Sequence, residues 1–186
     1  MIMKILLSIG IGVLMIFCFS GCKERYEPAP QITEGKFPFI LEYEMNGERY
    51  LIEDTVVCTY DGYDMSNNFA IFGFPYSRSW DASLESGDES KRLFIEFEPN
   101  TESMLVKGRI NTESRVILYY GHGGYYLGDP NYKDKHPYIN YSETYKVSDN
   151  TTKVEFTELS YEQLGKYFGI KIIRFEFSEP IENKFE

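Results

Sequence analysis

The sequence predicts a mostly β fold, either an antiparallel β-sandwich or an open barrel, with one short helix near the C-terminus. Many short segments alternate apolar and polar residues, and turn residues separate them at intervals of about 8–12 positions. One segment, residues 160–168, instead has the capping signals of a helix. Residues 1–36 follow neither pattern, so we place a single β-rich domain at residues 37–186.

The domain begins with a predicted hairpin. Residues 37–45 place aromatic or aliphatic side chains at every second position, as in a half-buried strand. Asn46 and Gly47 follow, and this pair favours the two positive-φ positions of a type I′ turn. Residues 48–54 form the returning strand. Residues 55–60 (TVVCTY) are β-branched and apolar, which predicts a buried strand.

The middle of the chain is less regular. Residues 61–79 predict a long loop with one short strand at 69–74. The four-residue spacing of Trp80 and Leu84 predicts one or two helical turns. Further strands are predicted over residues 92–98, 104–110, 114–120, 138–147, 152–159 and 173–177.

The C-terminal helix has signals at both of its ends. Ser160 and Gln163 have the spacing of a capping box. Gly169 supplies the residue that commonly ends a helix in the left-handed conformation. We therefore predict a helix over residues 160–168, closing one end of the β structure or packing on a sheet.

Charge and cysteine content exclude several classes of function and structure. The formal net charge is −10, whereas a nucleic-acid partner needs Lys and Arg to neutralise its phosphates, so we expect no nucleic acid. Of the three cysteines, Cys18 and Cys22 lie in the N-terminal segment and Cys58 is alone in the domain, so we expect no disulfide within it. The apolar setting of Cys58 favours a buried residue over a nucleophile.

The first 22 residues have the pattern of a bacterial export signal. Lys4 precedes an apolar run over residues 5–19, and small residues lead to Cys22. Residues 19–22 (FSGC) resemble the lipobox of bacterial lipoproteins. That resemblance implies a signal peptide over residues 1–21, lipidation of Cys22, and a protein anchored in membrane lipid on the extracytoplasmic face of the cell membrane. The alternative is an uncleaved membrane helix over residues 2–21.

A polar segment separates the lipobox from the domain. Residues 22–36 contain Pro28 and Pro30 and have no apolar period, which predicts a semi-extended tether. The domain that follows looks like the small lipoproteins of Gram-positive bacteria. This likeness implies a location and brings no activity or catalytic residue with it.

The candidate ligand-binding residues lie in a stretch that holds half of the sixteen tyrosines, residues 119–145. A tyrosine offers a flat face and a polar tip, which suits sugar rings and peptide backbones. Tyr125, Tyr126 and Tyr132, with His122, are therefore the candidates for contact with a glycan or protein, and a binding role requires the three tyrosines to be exposed on one rim. We favour the interpretation that these aromatic side chains pack inside the fold, the usual reason for aromatic residues in strands.

The sequence predicts no catalytic residues, metal or cofactor. His122 and His136 are the only histidines, no G-x-S-x-G motif is present, and no cluster has zinc spacing. Asp129, Asn131 and Asp134 offer oxygen atoms to Ca²⁺, but turns use the same residue types. We therefore predict a non-catalytic extracytoplasmic module that binds a ligand or partner. The alternative is a cell-surface hydrolase with a site around His122 or His136.

Overall fold

The computed structural model describes residues 26–65, 75–148 and 151–186. The predicted signal sequence, Cys22 and the predicted strand at 69–74 lie outside those ranges. The strands are β1 (Glu34–Met45), β2 (Glu48–Tyr63), β3 (Arg78–Leu84), β4 (Leu93–Phe97), β5 (Asn111–Tyr119), β6 (Tyr138–Ser148), β7 (Thr151–Glu158) and β8 (Ile170–Phe177). The α-helices are α1 (Gly123–Tyr126) and α2 (Tyr161–Phe168), and the 3-10 helices are Glu89–Arg92 and Pro130–Tyr132.

The strands form two four-stranded antiparallel sheets, ordered β3-β2-β1-β8 and β4-β5-β6-β7. Alternate residues of each sheet face a common apolar core, as expected when two half-buried sheets pack face to face. Buried side chains from both sheets belong to this core, among them Phe39, Leu41, Val56, Val116, Leu118 and Ile139. The mostly β prediction is confirmed, with the sheets arranged as a β-sandwich.

The predicted N-terminal hairpin is confirmed. Asn46 and Gly47 have φ values of 56° and 82°, as a type I′ turn requires. Met45 pairs directly with Glu48 across the turn. The segment predicted as a buried strand is the continuation of β2, where Val56 and Cys58 are fully buried.

The helical turn predicted at Trp80 and Leu84 is wrong. Both residues lie on β3, opposite Tyr60 and Val56 of β2. Residues four apart share a face in a strand as well as in a helix. The four-residue spacing therefore shows correctly that Trp80 and Leu84 face the same side, but it does not distinguish a strand from a helix.

The strand predicted over residues 104–110 is also wrong. Ser103 to Val106 form a turn around the side chain of Glu143, whose Oε1 accepts from the Met104 N–H at 2.6 Å and whose Oε2 accepts from the Leu105 N–H at 3.2 Å. Since these N–H groups bond to a carboxylate, they do not join a sheet. The paired strand begins at Asn111.

The other predicted elements within the described ranges are confirmed with small shifts of their ends. The capping box of α2 is present, with the Gln163 N–H donating to Ser160 Oγ at 3.2 Å and the Ser160 N–H donating to Gln163 Oε1 at 2.8 Å. Gly169 ends the helix at φ 65°. The short helix α1 was not predicted. In the described ranges, neither helix is long and apolar enough to cross a membrane.

The described part of the predicted tether is bound to the domain. The Ala29 N–H donates to Glu186 O at 2.9 Å and the Gln31 N–H donates to Lys184 O at 2.8 Å. β1 then begins at Glu34, inside the segment predicted as a tether. Residues 26–36 are therefore part of the folded domain, which corrects the expectation of a free spacer up to residue 36.

The sandwich has two distinct ends. The terminal end carries residues 26–33, the C-terminal tail after residue 180, and the loop of residues 121–136, since all three contact one another. β1 runs from this end to the Asn46-Gly47 turn at the distal end. β8 begins opposite Met45, so the end of α2 at Phe168, just before β8, lies at the distal end. Phe97, at the end of β4, packs on Phe168, which places the loop between β4 and β5 at the distal end as well.

Candidate ligand-binding groove

A buried ion pair between Arg78 and Asp129 organises the terminal end. Arg78 is at the start of β3, and Asp129 follows α1 in the loop of residues 121–136. Arg78 Nε and Nη2 each donate to one carboxylate oxygen of Asp129 at 2.7 Å. Trp80 Nε1 donates to the same carboxylate at 2.9 Å, and the Asn131 N–H donates to it at 3.0 Å. This bidentate geometry fixes the loop against the edge of the first sheet.

Both members of the pair are removed from solvent, with Arg78 6% and Asp129 1% exposed. Burial alone would raise the pKa of Asp129, but the hydrogen bonds from Arg78, Asn131 and Trp80 outweigh it and hold the pKa below its ordinary value. Asp129 is therefore ionised, and its charge is neutralised by Arg78.

Arg78 also binds the N-terminal and C-terminal segments. Its Nη1 donates to Pro28 O at 3.0 Å and lies 3.4 Å from Glu27 Oε2. Its guanidinium carbon lies 4.5 Å from the centre of the Phe185 ring. One side chain thus holds together three segments that are far apart in the sequence.

The two glycines that begin α1 allow the loop to approach the first sheet closely. A Cβ on Gly123 would lie 2.4 Å from Asp81 O, and a Cβ on Gly124 would lie 2.7 Å from the Tyr132 ring. His122 caps α1, with its Nδ1 accepting from the Gly124 N–H at 3.0 Å. Its ring stacks on Tyr132 at 4.2 Å, and burial lowers the pKa of His122.

The three candidate tyrosines do not form the exposed rim that a binding role requires. Tyr125 is 8% exposed and Tyr126 is 0% exposed. Tyr126 stacks on Phe37 at 4.7 Å, and its hydroxyl donates to Tyr120 O at 2.9 Å. For Tyr125 and Tyr126 the packing interpretation is therefore the correct one, while Tyr132 is half-buried.

A groove of about 610 Å³ lies between this loop and the C-terminal tail. Asn183 fixes the tail, because its Nδ2 donates to Leu127 O at 2.9 Å and to Ile32 O at 2.8 Å. Gly128 has φ 71°, and a Cβ there would lie 2.3 Å from Ile181 O. The walls include Tyr125, Asp129, Lys133, Ile181, Glu182 and Lys184.

The groove combines an apolar wall with a rim that carries two lysines. Tyr125 and Ile181 supply apolar surface, and Lys133 and Lys184 are exposed. Neither lysine has an ion-pair partner among the described residues. Two acidic residues line the groove, Asp129 and Glu182. Asp129 is paired with Arg78, so Glu182 is the lining carboxylate whose charge is not neutralised by an ion pair among the described residues. Two lysines therefore face one unpaired acid among the lining residues of a protein of net charge −10, while Glu27 beside Arg78 and Glu179 near Tyr125 add negative charge next to the groove.

Neither histidine is arranged as a catalytic base. His122 accepts a backbone N–H, and His136 Nδ1 lies 3.0 Å from Pro137 O. Over the described ranges, no carboxylate or hydroxyl group hydrogen-bonds to either imidazole ring. Cys58 is fully buried, and burial raises the pKa of its thiol to about 12.

The oxygen ligands considered for Ca²⁺ are not grouped as a metal site. Asp129 is committed to Arg78 and Trp80, as described above. Within the part of the chain that the structure describes, no three His, Cys, Asp or Glu side chains are placed to hold a metal ion.

Sequence reasoning missed Arg78, Lys133 and Lys184. Arg78 lies in a segment predicted as a loop, and its partner is 51 positions away. The two lysines are 51 positions apart and are brought together by the pairing of the tail with residues 29–32. No spacing within one element relates these residues, so only the tertiary structure identifies the groove.

Comparisons with known proteins give no further assignment: no family model, no curated protein and no solved structure matches this chain.

Proposed function

We propose that this protein is a lipid-anchored extracytoplasmic binding module whose ligand occupies the groove between residues 125–133 and 180–184. The groove itself is the main support for the proposal. Its volume of about 610 Å³ falls in the range of small-ligand sites. That volume suits a small molecule or a short segment of a surface glycan or peptide.

The rigidity of the groove favours binding. Its two walls are held by the Arg78–Asp129 pair and by Asn183, so little conformational entropy is lost when a ligand enters. A hydrolase would require a base hydrogen-bonded to a nucleophile or an orienting group. The bonds of His122 and His136 to backbone groups give the hydrolase alternative no comparable support.

The anchoring part of the proposal depends on Cys22. We expect Cys22→Ser to leave an uncleaved precursor that incorporates no acyl label, because the lipidated thiol is missing. Electrophoretic mobility and labelling with a radioactive or alkyne fatty acid measure both effects. Normal maturation and normal acyl labelling of the variant would contradict the anchoring.

The binding part can be tested by a thermal-shift screen of the full-length lipidated protein in neutral detergent. A compound that binds only the folded state raises Tm in proportion to its saturation. For a compound that binds in the groove, we expect the rise in Tm to be mostly lost in the Lys133→Gln variant. The same compound should still raise the Tm of the Lys107→Gln variant, whose substitution is at the distal end. Equal retention of the shift in both variants would show that the compound binds elsewhere.

A further inference from the structure

The groove lies beside the first described residues of the chain. Lys184, on one wall, accepts the Gln31 N–H through its carbonyl at 2.8 Å, and Asn183 Oδ1 accepts the Ile32 N–H at 3.0 Å. On the other side, Asn131 Nδ2 donates to Glu27 Oε1 at 3.1 Å. The groove and the N-terminal segment therefore belong to the same end of the sandwich.

The position of Tyr26 limits how far this end can move from a lipid on Cys22. Four residue steps separate Cys22 from Tyr26, and an extended chain spans at most about 3.6 Å per residue, or roughly 14 Å in total. The polar layer on each side of a bilayer is itself roughly 5–7 Å thick. Because residues 27–32 bind to the domain, they do not lengthen the free chain between Cys22 and the domain. The terminal end therefore stays close to the lipid headgroups.

We propose that the groove binds the phosphate-bearing headgroup of an anionic membrane lipid and so holds the terminal end of the sandwich against the bilayer. This inference rests on the proposed anchoring at Cys22. Lys133 and Lys184 face the phosphate, while Tyr125 and Ile181 contact the glycerol and the first methylene groups. Tyr26 and Ile32, each 42% exposed, lie on the same end and enter the interfacial layer.

The charge distribution selects a single headgroup over a broad electrostatic contact. The net charge of −10 repels an anionic surface, so attraction must come from cations at short range. Glu182 lies on the same wall as Lys184 and offsets part of this attraction. We therefore expect binding to weaken with added salt, as for other partly exposed charges.

The test uses the full-length lipidated protein in vesicles of phosphatidylcholine alone or of phosphatidylcholine mixed with phosphatidylglycerol. We expect Tm to be about 3–6 °C higher in the mixed vesicles, a shift typical of a site near saturation in a protein of this size. The double variant Lys133→Gln/Lys184→Gln should lose most of this rise. The matched variant Lys107→Gln/Lys146→Gln, which removes two exposed lysines at the distal end, should keep it.

Three outcomes would overturn the proposal. The first is an equal Tm in the two kinds of vesicle. The second is an equal loss of the rise in the two double variants, which would indicate a general charge effect. The third is a rise of the same size when glycerol phosphate or inorganic phosphate is added to phosphatidylcholine vesicles, which would make free phosphate the ligand.

A second measurement tests the orientation. A fluorophore on Asp134→Cys marks the terminal end, and the same fluorophore on Lys107→Cys marks the distal end. Cys58 is buried and does not compete for the label. A spin label on the lipid headgroup should quench the first fluorophore several-fold more than the second, and equal quenching would contradict the orientation. Acyl labelling of the same preparations separates a failure of this inference from a failure of the anchoring.

Discussion

At the scale of single residues, Asp129 determines the structure of the groove. Its carboxylate accepts hydrogen bonds from Arg78, Trp80 and the Asn131 backbone while fully buried. An amide at this position presents an N–H group to one of these donors and removes the bidentate counterion of Arg78, which leaves only the more distant carboxylate of Glu27 beside the guanidinium.

We expect Asp129→Asn to lower the free energy of unfolding by about 3 kcal/mol, because breaking a buried ion pair leaves a buried charge that is only partly compensated. Chemical denaturation followed by the fluorescence of Trp80, the sole tryptophan, measures the change. The control is Glu85→Gln, which breaks the solvent-exposed pair with Lys36 and should leave the midpoint almost unchanged. Similar losses in both variants would show that the buried pair has no special role.

Cys58 supplies a second prediction at this scale. Because burial raises the pKa of its thiol to about 12, we expect the native protein to react with a maleimide only on the timescale of unfolding. The same thiol should react within minutes in guanidinium chloride. Mass spectrometry of the labelled protein distinguishes the two states, and fast labelling of the native state would show that β2 opens at this position.

At the scale of elements, Glu143 shows how one side chain converts a potential strand into a turn. The carboxylate is fully buried on β6 and accepts from Ser103 Oγ, Tyr141 Oη and the backbone of residues 104 and 105. Burial alone would raise the pKa of Glu143, yet these hydrogen bonds outweigh it and lower the pKa.

We expect Glu143→Gln to cost about 2–4 kcal/mol of unfolding free energy, since at least one buried donor loses its acceptor. Hydrogen exchange should show the amides of Met104 and Leu105 exchanging faster than in the wild type. Glu113→Gln, on the neighbouring strand with a partly exposed carboxylate, is the control. Unchanged exchange at residues 104 and 105 would mean that the turn does not depend on the carboxylate.

The elements that could be predicted from sequence are those whose signals are local. The Asn46-Gly47 turn and the capping box of α2 each depend on neighbours within a few positions. The strand β3 was mistaken for a helix because a four-residue apolar spacing fits both structures. The turn at residues 103–106 depends on Glu143, about 40 positions away, and no local pattern reports such a contact.

At the scale of the whole molecule, three carboxylates link stability to pH. Asp129 and Glu143 are buried, and Asp54 is a half-buried residue whose side chain is 4% exposed, so loss of solvation alone would raise the pKa of each carboxyl. Their hydrogen bonds instead lower these pKa values, for Asp54 through Ser86, Lys91 and the Thr55 backbone. The pKa of Asp54 falls from 3.8 to about 2. A carboxylate whose pKa is lower in the folded state stabilises the fold above its unfolded pKa and loses that effect as pH falls.

We therefore expect the unfolding free energy to be nearly constant around neutral pH and to fall between about pH 4 and pH 2. Asp54→Asn should be less stable at pH 7 but should lose less of its remaining stability over the acidic interval. Urea titrations at a series of pH values provide the measurement. Parallel curves for the two proteins would show that Asp54 does not contribute to the acid response.

The candidate site could be predicted only in part. The sequence identified the loop of residues 121–136 as unusual, from its glycines, tyrosines and histidine. It left open whether the tyrosines pack inside the fold or form an exposed rim, and the structure buries Tyr125 and Tyr126, with Tyr126 stacked on Phe37. The groove is formed where the C-terminal tail meets the loop of residues 121–136, and no local sequence pattern predicts that contact.

The pairing of residues 29–31 with residues 184–186 also has a mechanical consequence. Under the anchoring proposed at Cys22, a pulling force enters the fold through the N-terminal segment, so the first bonds loaded are those of Glu27, Ala29 and Gln31. These bonds precede β1 in the path of the force. Release of the C-terminal tail would remove the hydrogen-bond partners of residues 29 and 31 and so increase the length of free chain between a lipid on Cys22 and the sandwich.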